Sequence, residues 1–583
     1  MIKTRRIQFA LAGVLALIAS DVTYAQTIPD VPRDRTLVVA FNPEAPTYRN
    51  VGQANPYSIN IDDMRGSIIN MFEPLFYYNT ITDKLIPWLA KSLEYNDSNT
   101  QLTIHLRSGV TWSDGEPFSA DDVVFTLRLL KSNGETKKDM VKATAVAEDV
   151  ASVEKIDQST VVIHLTKPDP RFAFRYLINC FESGLQWLPE HIWKDVADPA
   201  SFSFYDPQKG WPVTTSPWKV VRFTDTQIFM DRRDKWWASD AGLAKMPAIE
   251  RIITVPGGTN DHMAQLMLAN QADIAFDLPV PVVKQILSRN PKVTTFSGNN
   301  PPFGSADDWP PSLYFNHKDP IWQDAHLRHA VNYYLDRKQL VDVGFEGATH
   351  PIFSPFPGFG TLKPYIDAIK PLADKYGIGV YDPARGDQEM AAAGYAKNSN
   401  GMWQKDGKLL SSTIETIPTL GFLGPLVAQQ LKNHGLDIGY QSSPESRAIM
   451  RDGKYQLALF GHRGSDTDPF ATLDAYTSKN AIPVGEPTLF LARWSNAEYD
   501  KIVAQVGHLR PGDPGILPLV KAAMEIWLRD AVEAPICEFY LRIPMNQTHW
   551  TNWPSEQNPY MQPTFWLTSG QFGYVLWQLK PVQ

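Results

Sequence analysis

The spacing of hydrophobic and polar positions changes several times along the chain, and each change predicts an element. Residues 36–40, "TLVVA", read as a short apolar strand, followed by the polar loop "NPEAPTYRNVGQANPYS". The stretch "RGSIINMFEPLFYYN" sets Ile68, Met71, Phe72 and Leu75 on one side at helical spacing, which predicts a helix. From residue 101 the period falls to two. Leu102, Ile104 and Leu106 alternate with polar residues, as in a strand with one buried face. "SDGE" at 113–116 is turn chemistry, with Asp-Gly supplying a positive-φ position. Ser119 then stands as a helix N-cap with Asp122 in the capping-box position, and the acids at 121 and 122 suit the positive start of a helix. Val123, Val124, Leu127 and Leu130 give that helix an apolar face, and "STVVIHLTK" at 159–167 predicts a second alternating strand.

A larger pattern occurs twice. "IERIITVPGGTNDHMAQLMLANQADIAFDL" reads as strand, Gly-rich turn, helix and short strand, with Thr259 or Asn260 as the cap. "GKLLSSTIETIP", the helical run "GPLVAQQLKNHG" and "LDIGYQ" repeat that order at 407–441. Strand–helix–strand units predict α/β domains with partly parallel sheets. Pro/Gly-rich tracts at 205–217 and 297–312 are candidate crossings between lobes.

Length and composition set the scale. With 583 residues, 43% of them hydrophobic, the chain can fill two or three cores. A net charge of −8 opposes a nucleic-acid binder, which needs a basic stripe to neutralise phosphates. The first 25 residues read as a signal peptide: basic "MIKTRR", the 11 apolar residues "FALAGVLALIA", and "TYA" ending at Ala25. Eleven apolar residues are short for a bilayer span, and no later run is long enough for one. Thr4-Arg5-Arg6 leaves twin-arginine export open beside the general route, although Gln8 departs from that pattern. The expected mature protein is periplasmic. Neither of the two cysteines, Cys180 and Cys537, lies where a lipid anchor would be attached. They read either as a disulfide pair or as two buried thiols.

Six ordered segments resemble one family. "LRSGVTWSDGEPFSADDVVFTL", "SPWKVVRFTDTQIFMDRRDKWW", "LYFNHKDPIWQDAHLRHAVNYYLDRKQLV", "YDPARGDQEMAAAGY", "GKYQLALFGHRGSDTDP" and "RWSNAEYDKIV" are similar to the segments of family 5 extracellular solute-binding proteins of ABC importers. Those proteins are receptors for dipeptides, oligopeptides, nickel and oligosaccharides. The resemblance runs from about residue 36 to residue 550. It implies a two-lobed α/β periplasmic-binding-protein fold with an accessory lobe and a central ligand cleft. By that analogy, residues 26–66, 212–295 and 548–583 form lobe I, 67–211 the accessory lobe II, and 296–547 lobe III. Function then lies in closure of lobes I and III on a small ligand, followed by delivery to a permease and its ATPase. A monomer with no cofactor is expected.

The resemblance also frames the ligand. Peptide-binding members read Gly-Trp-x-x-Asp after the strand matching "YQLALFG", and that Asp pairs with the peptide ammonium. Here the segment is "GHRGSDTDP": His462 stands in the Trp place and Ser465 in the Asp place, with Asp466 one residue later. A buried ammonium lacking its partner costs on the order of 2–5 kcal/mol. Sugars ask instead for aromatic faces and planar polar groups. The 17 Trp residues and the tail "HWTNWPSEQNPYMQPTFWLTSGQFGYVLWQL" offer rings for stacking, with Asn552 or Gln557 as hydrogen-bonding groups, unless those rings are simply packing. An oligosaccharide is favoured over an oligopeptide. The candidate ligand-binding residues are Phe41, Asn42, Tyr314, Asn316, His462, Arg463, Asp466 and Trp553. Arg463 reads equally as a salt bridge between lobes. Asp468-Pro469 reads as turn structure, and Arg328 and Asp336 as supports of helices.

Two other classes compete. A nickel receptor would use His326 and His329 on one helical face, but no His/Cys cluster accompanies them. A secreted glycosidase-like hydrolase needs two carboxylates at ~5–9 Å, a spacing a sequence does not reveal. GxSxG, HExxH, the P-loop and Cys₄ zinc spacing are all absent, so the chain reads as a receptor and not an enzyme.

Overall fold

A computed structural model describes residues 28–41, 47–136, 139–461 and 464–583. The signal-peptide region, Asn42, His462 and Arg463 lie outside the described residues. Three sheets organise the rest. The first has seven strands in the order Val293–Thr294, Met545–Asn546, Ile274–Ala275, Thr36–Phe41, Arg251–Pro256, Ile228–Arg232 and Trp218–Phe223. Its central strand Thr36–Phe41 is almost wholly buried and runs parallel to both neighbours. That is why "TLVVA" is continuously apolar instead of alternating. The helix Asn260–Leu268 links two of these parallel strands, and the Thr259 side chain caps it by accepting from the His262 N–H.

The second sheet has five strands in the order Asp437–Ser442, Ser411–Thr416, Leu457–Gly461, Pro311–Phe315 and Glu533–Pro535. Ser411–Thr416 and Asp437–Ser442 are parallel and joined through the helix Leu423–Asn433, the repeated unit expected from the sequence. The third sheet is antiparallel, ordered Ala90–Tyr95, Gln101–Leu106, Thr160–Leu165 and Val150–Asp157. Gln101–Leu106 alternates between buried and half-buried residues. The helix Ala120–Glu135 covers this sheet and starts on a complete capping box, in which Asp122 accepts from the Ser119 N–H at 2.9 Å. The chain passes from the third sheet to the first through the Pro/Gly tract before Trp218, and from the first to the second through 297–310.

One expected element is different. Residues 65–79 form a short 3₁₀ turn, Ile68–Met71, followed by the strand Phe76–Asn79. Gly66 has φ +71°, and a Cβ there would sit 2.9 Å from the Phe41 ring. Pro74 removes a helical N–H. Ile68, Ile69, Met71, Phe72, Leu75 and Phe76 are all buried, so the segment threads through the interior and has no solvent face for a helix to present. The cysteines are two separate buried thiols.

Candidate functional site

Candidate residues gather at the end of Thr36–Phe41 in the first sheet and at the end of Leu457–Gly461 in the second. Thr36–Phe41 ends at Phe41, whose ring packs 5.8 Å from both Phe276 and Phe565, while Phe276 lies 4.3 Å from Trp566. These rings make an apolar floor, in which Phe41 is 6% exposed and Phe276 half-buried.

A second wall is assembled around Trp309. Leu457–Gly461 ends in a residue with no side chain, and a Cβ on Gly461 would come within 2.1 Å of the Trp309 indole. Glycine therefore permits that ring to lie across the strand end. Trp309 packs edge-on against Phe460 at 5.0 Å and Phe539 at 5.6 Å, and is half-buried. Two acids precede it. The Asp307 N–H donates to the Phe539 carbonyl at 3.0 Å, and the Asp308 carbonyl accepts from the Gly464 N–H at 2.7 Å, which ties this wall to the 464–468 loop. Burial, then the adjacent Asp308 charge, pushes the Asp307 carboxyl well above the usual carboxylate range. Asp277 extends the acidic edge. Its Oδ1 accepts from the Arg542 N–H at 2.5 Å, and burial raises it to about 6 against the pull of the Arg542 charge.

The 464–468 loop turns its residues in opposite directions. Ser465 is fully buried: its Oγ accepts from the Thr472 N–H at 2.9 Å and its N–H donates to Thr472 Oγ1 at 2.8 Å. Asp466 is half-buried, with Oδ2 3.7 Å from Cys180 Sγ. Burial, then the charges of Asp466 and Asp308, raises the Cys180 thiol far above its ordinary value. A thiol held protonated is a packing group and a weak donor, not a nucleophile.

The other sequence candidates occupy the framework. Tyr314 sits mid-sheet, 2% exposed, with burial and then Glu533 raising its phenol. Asn316 spends its amide on the Gly453 carbonyl at 3.0 Å and the Tyr455 carbonyl at 2.8 Å, while its Oδ1 accepts from the Lys318 N–H. Trp553 is 5% exposed and donates to the carbonyls of Asn546 and Trp550. The structure thus places all three in the core: the Asn316 amide and the Trp553 indole N–H are served by local carbonyls, and Tyr314 stands buried within the five-stranded sheet. Trp550, Trp566 and Trp577 of the tail are also packing groups, and the Asn552 amide is held by the Gln578 carbonyl. His326 pairs with Glu389 at 2.6 Å, and His329 with the Arg529 carbonyl at 2.8 Å. Arg328 and Asp336 hold helix termini: Arg328 reaches the Asp530 and Ala531 carbonyls, and Asp336 caps Arg337–Gly344.

Sequence reasoning missed Asp307, Asp308, Trp309, Asp277 and Phe276. Two acids followed by an aromatic, "DDWPP" at 307–311, just ahead of an apolar strand were the available signal. One framework prediction follows. Asn316→Ala leaves two buried carbonyls without their donor and is expected to cost about 1–3 kcal/mol of stability with no change in ligand affinity. Chemical denaturation and a binding titration on the same variant check both halves, and a large affinity loss in a stable variant would return Asn316 to the ligand site.

Comparison with known proteins places this geometry. The model for "Bacterial extracellular solute-binding proteins, family 5 Middle" matches residues 84–483. The chain is 23% identical to the glutathione-binding protein GsiB of Escherichia coli K12 over 497 residues, covering 84% of this chain and 87% of that one. It is 24% identical to heme-binding protein A of Haemophilus influenzae over 445 residues, 72% of each. A periplasmic oligopeptide-binding protein of Thermotoga maritima superposes with a TM-score of 0.81 at 22% identity, covering 94% of this chain and all of that one. The mannohexaose-bound structure of that protein gives 0.75 at 23% identity, covering 95% and 99%. The family match over residues 84–483 makes the assignment: the chain belongs to the family 5 bacterial extracellular solute-binding proteins, the receptors of ABC importers.

Proposed function

We propose that the chain captures an oligosaccharide between its seven- and five-stranded bodies in the periplasm and delivers it, as a monomer, to an ABC permease. The observation that carries this reading is a half-buried Trp309 beside the buried Asp307 and half-buried Asp308, while Ser465 is sealed against Thr472. An indole face suits sugar C–H surfaces, and carboxyl groups accept from or donate to hydroxyls. The residue in the ammonium-holding place carries no charge and faces inward. The mannohexaose held by the Thermotoga protein adds support. The lobes proposed to close are 26–66, 212–295 and 548–583 on one side and 296–547 on the other, with 67–211 as the accessory lobe.

A peptide is the second reading, because Asp466 stands one residue from the ammonium-holding place and remains half-buried. A thermal-shift screen on protein stripped of copurified ligand separates the two. Mannohexaose or cello-oligosaccharides are expected to raise the melting temperature, and di- to pentapeptides to leave it unchanged; the reverse result ends the sugar reading. For the stabilising ligand, Trp309→Ala is expected to cost about 2 kcal/mol, roughly thirtyfold in Kd. Release of cleavage products with turnover would instead establish a hydrolase.

A further inference from the structure

The accessory body is fastened to the seven-stranded body at many points. The Asn55 amide donates to the Pro199 and Phe202 carbonyls, both at 2.9 Å, Tyr57 donates to the Gln186 carbonyl at 2.5 Å, and Trp236 and Trp237 donate to Glu73. Its contacts with the five-stranded body are different in kind: they gather beside the 464–468 loop. Arg171, 6% exposed, donates through Nε to Asp468 Oδ2 at 2.7 Å, and its Nη2 reaches the same oxygen. Asp468 is likewise 6% exposed. The Arg171 Nη1 donates to the carbonyls of Val506 at 3.3 Å, Gly507 at 3.2 Å and Leu509 at 2.9 Å, closing the end of the helix Ala497–His508. The guanidinium also lies 4.6 Å over the Phe470 ring. Next to it, Arg510 reaches back to Asn99 Oδ1 and the Asn96 carbonyl, both at 2.8 Å.

We infer that Arg171 and Asp468 form a closure latch, by which the accessory body holds the five-stranded body shut and reads the state of the ligand loop. The chemistry favours a state-dependent contact. Inside the closed interface each charge has its partner, and Arg171 satisfies three further carbonyls. On opening, both groups return to water, so the pair biases an equilibrium without creating a stranded charge. Asp468 is two residues from Asp466, which meets Cys180 of the same accessory body. A ligand that moves the loop therefore moves the latch. Arg510 supplies a second crossing contact of lesser burial. This inference rests on the closing motion of the receptor class and not on whether its ligand is a sugar or a peptide.

Small-angle scattering of the ligand-free full-length chain tests it. Arg171→Met and Asp468→Asn are each expected to shift the closed-to-open ratio toward open, Arg171→Met by roughly tenfold, seen as a larger radius of gyration, and the double variant is expected to match Arg171→Met because that change already removes the pair. Arg510→Met is expected to move it in the same direction by less. Circular dichroism checks that each variant is folded. If Arg171→Met fails to fold, Asp468→Asn and Arg510→Met decide. Scattering curves that superpose on the parent for the folded variants overturn the latch, as does a double variant whose shift is the sum of the singles.

Discussion

Glu73→Ala is expected to lower the stability of the chain by about 3–5 kcal/mol. Glu73 is 3% exposed, and its two oxygens are divided between two indoles: Oε1 accepts from Trp236 Nε1 at 3.2 Å and Oε2 from Trp237 Nε1 at 2.8 Å. Around them Trp88 stacks on Trp577 at 5.1 Å with the planes 11° apart, and Trp88 meets Trp237 edge-on at 5.4 Å. Alanine would remove the acceptor for two buried N–H groups and leave a void among four large rings that cannot collapse without losing their own contacts. Both penalties fall at the seam between the accessory and seven-stranded bodies. Urea unfolding followed by tryptophan fluorescence should therefore show the first transition moved to much lower urea. Burial raises the Glu73 carboxyl to about 7, so the protonated acid is the native form below that pH. Glu73→Gln imitates that form and is expected to cost far less than alanine at pH 5.5. An alanine variant within about 1 kcal/mol of the parent would mean that the indoles find other partners and that Glu73 is not their anchor.

Local rules carried much of the fold and little of the site, for a physical reason. The capping box at Ser119–Asp122, the period-two strand at 101–106 and the parallel unit at 411–442 each depend on neighbours within a few residues, so they are legible from spacing alone. The helix expected across 65–79 failed because its partners, Phe41 and the tail around Gly570, are remote in sequence. The site has the same character. Trp309 becomes a wall only because Gly461 and Phe539 come to it from 150 and more residues away, and nothing at 307–309 announces that. Ser465 was legible as a missing carboxylate, yet its inward turn onto Thr472 was not. Nor does spacing disclose that Tyr314 is buried within a sheet and that the Asn316 amide is spent on two carbonyls.

Stability is expected to be highest near about pH 4.5 and to fall toward pH 8, contrary to the flat profile of a chain whose acids all sit at the surface. The sign follows from the direction of the shifts. Burial raises Glu73 and Glu533 to about 7, Glu538 to about 8 and Asp277 to about 6, and pushes Asp307 up as well. In the unfolded chain these groups lose their protons near 4 to 4.5, so above that pH the unfolded state is the one that has released protons. Their contribution is fully present below about pH 4.5 and is lost as the pH climbs through the native values. A carboxyl raised from 4.5 to about 7 is worth on the order of 3 kcal/mol over that span. An opposing effect sets the acid side of the peak. Burial lowers His317 to about 3, with its Nε2 against the Val532 carbonyl at 2.9 Å, so the unfolded chain binds a proton below about 6.5 that the native chain does not accept. Burial lowers His329, His350, His434 and His549 in the same sense, but of these histidines His317 moves furthest, and the deeply buried carboxyls prevail until their own contribution levels off. Melting temperatures measured from pH 4.5 to 8 check the profile, and a continuous rise to pH 8 would overturn it. The slope can also be assigned. Glu538 lies against Gly358, where a Cβ would come 2.8 Å from its Oε2, and adjoins Phe539 of the Trp309 wall. Glu538→Gln should flatten the decline between pH 6 and 8, because that position would then have no proton to lose on unfolding.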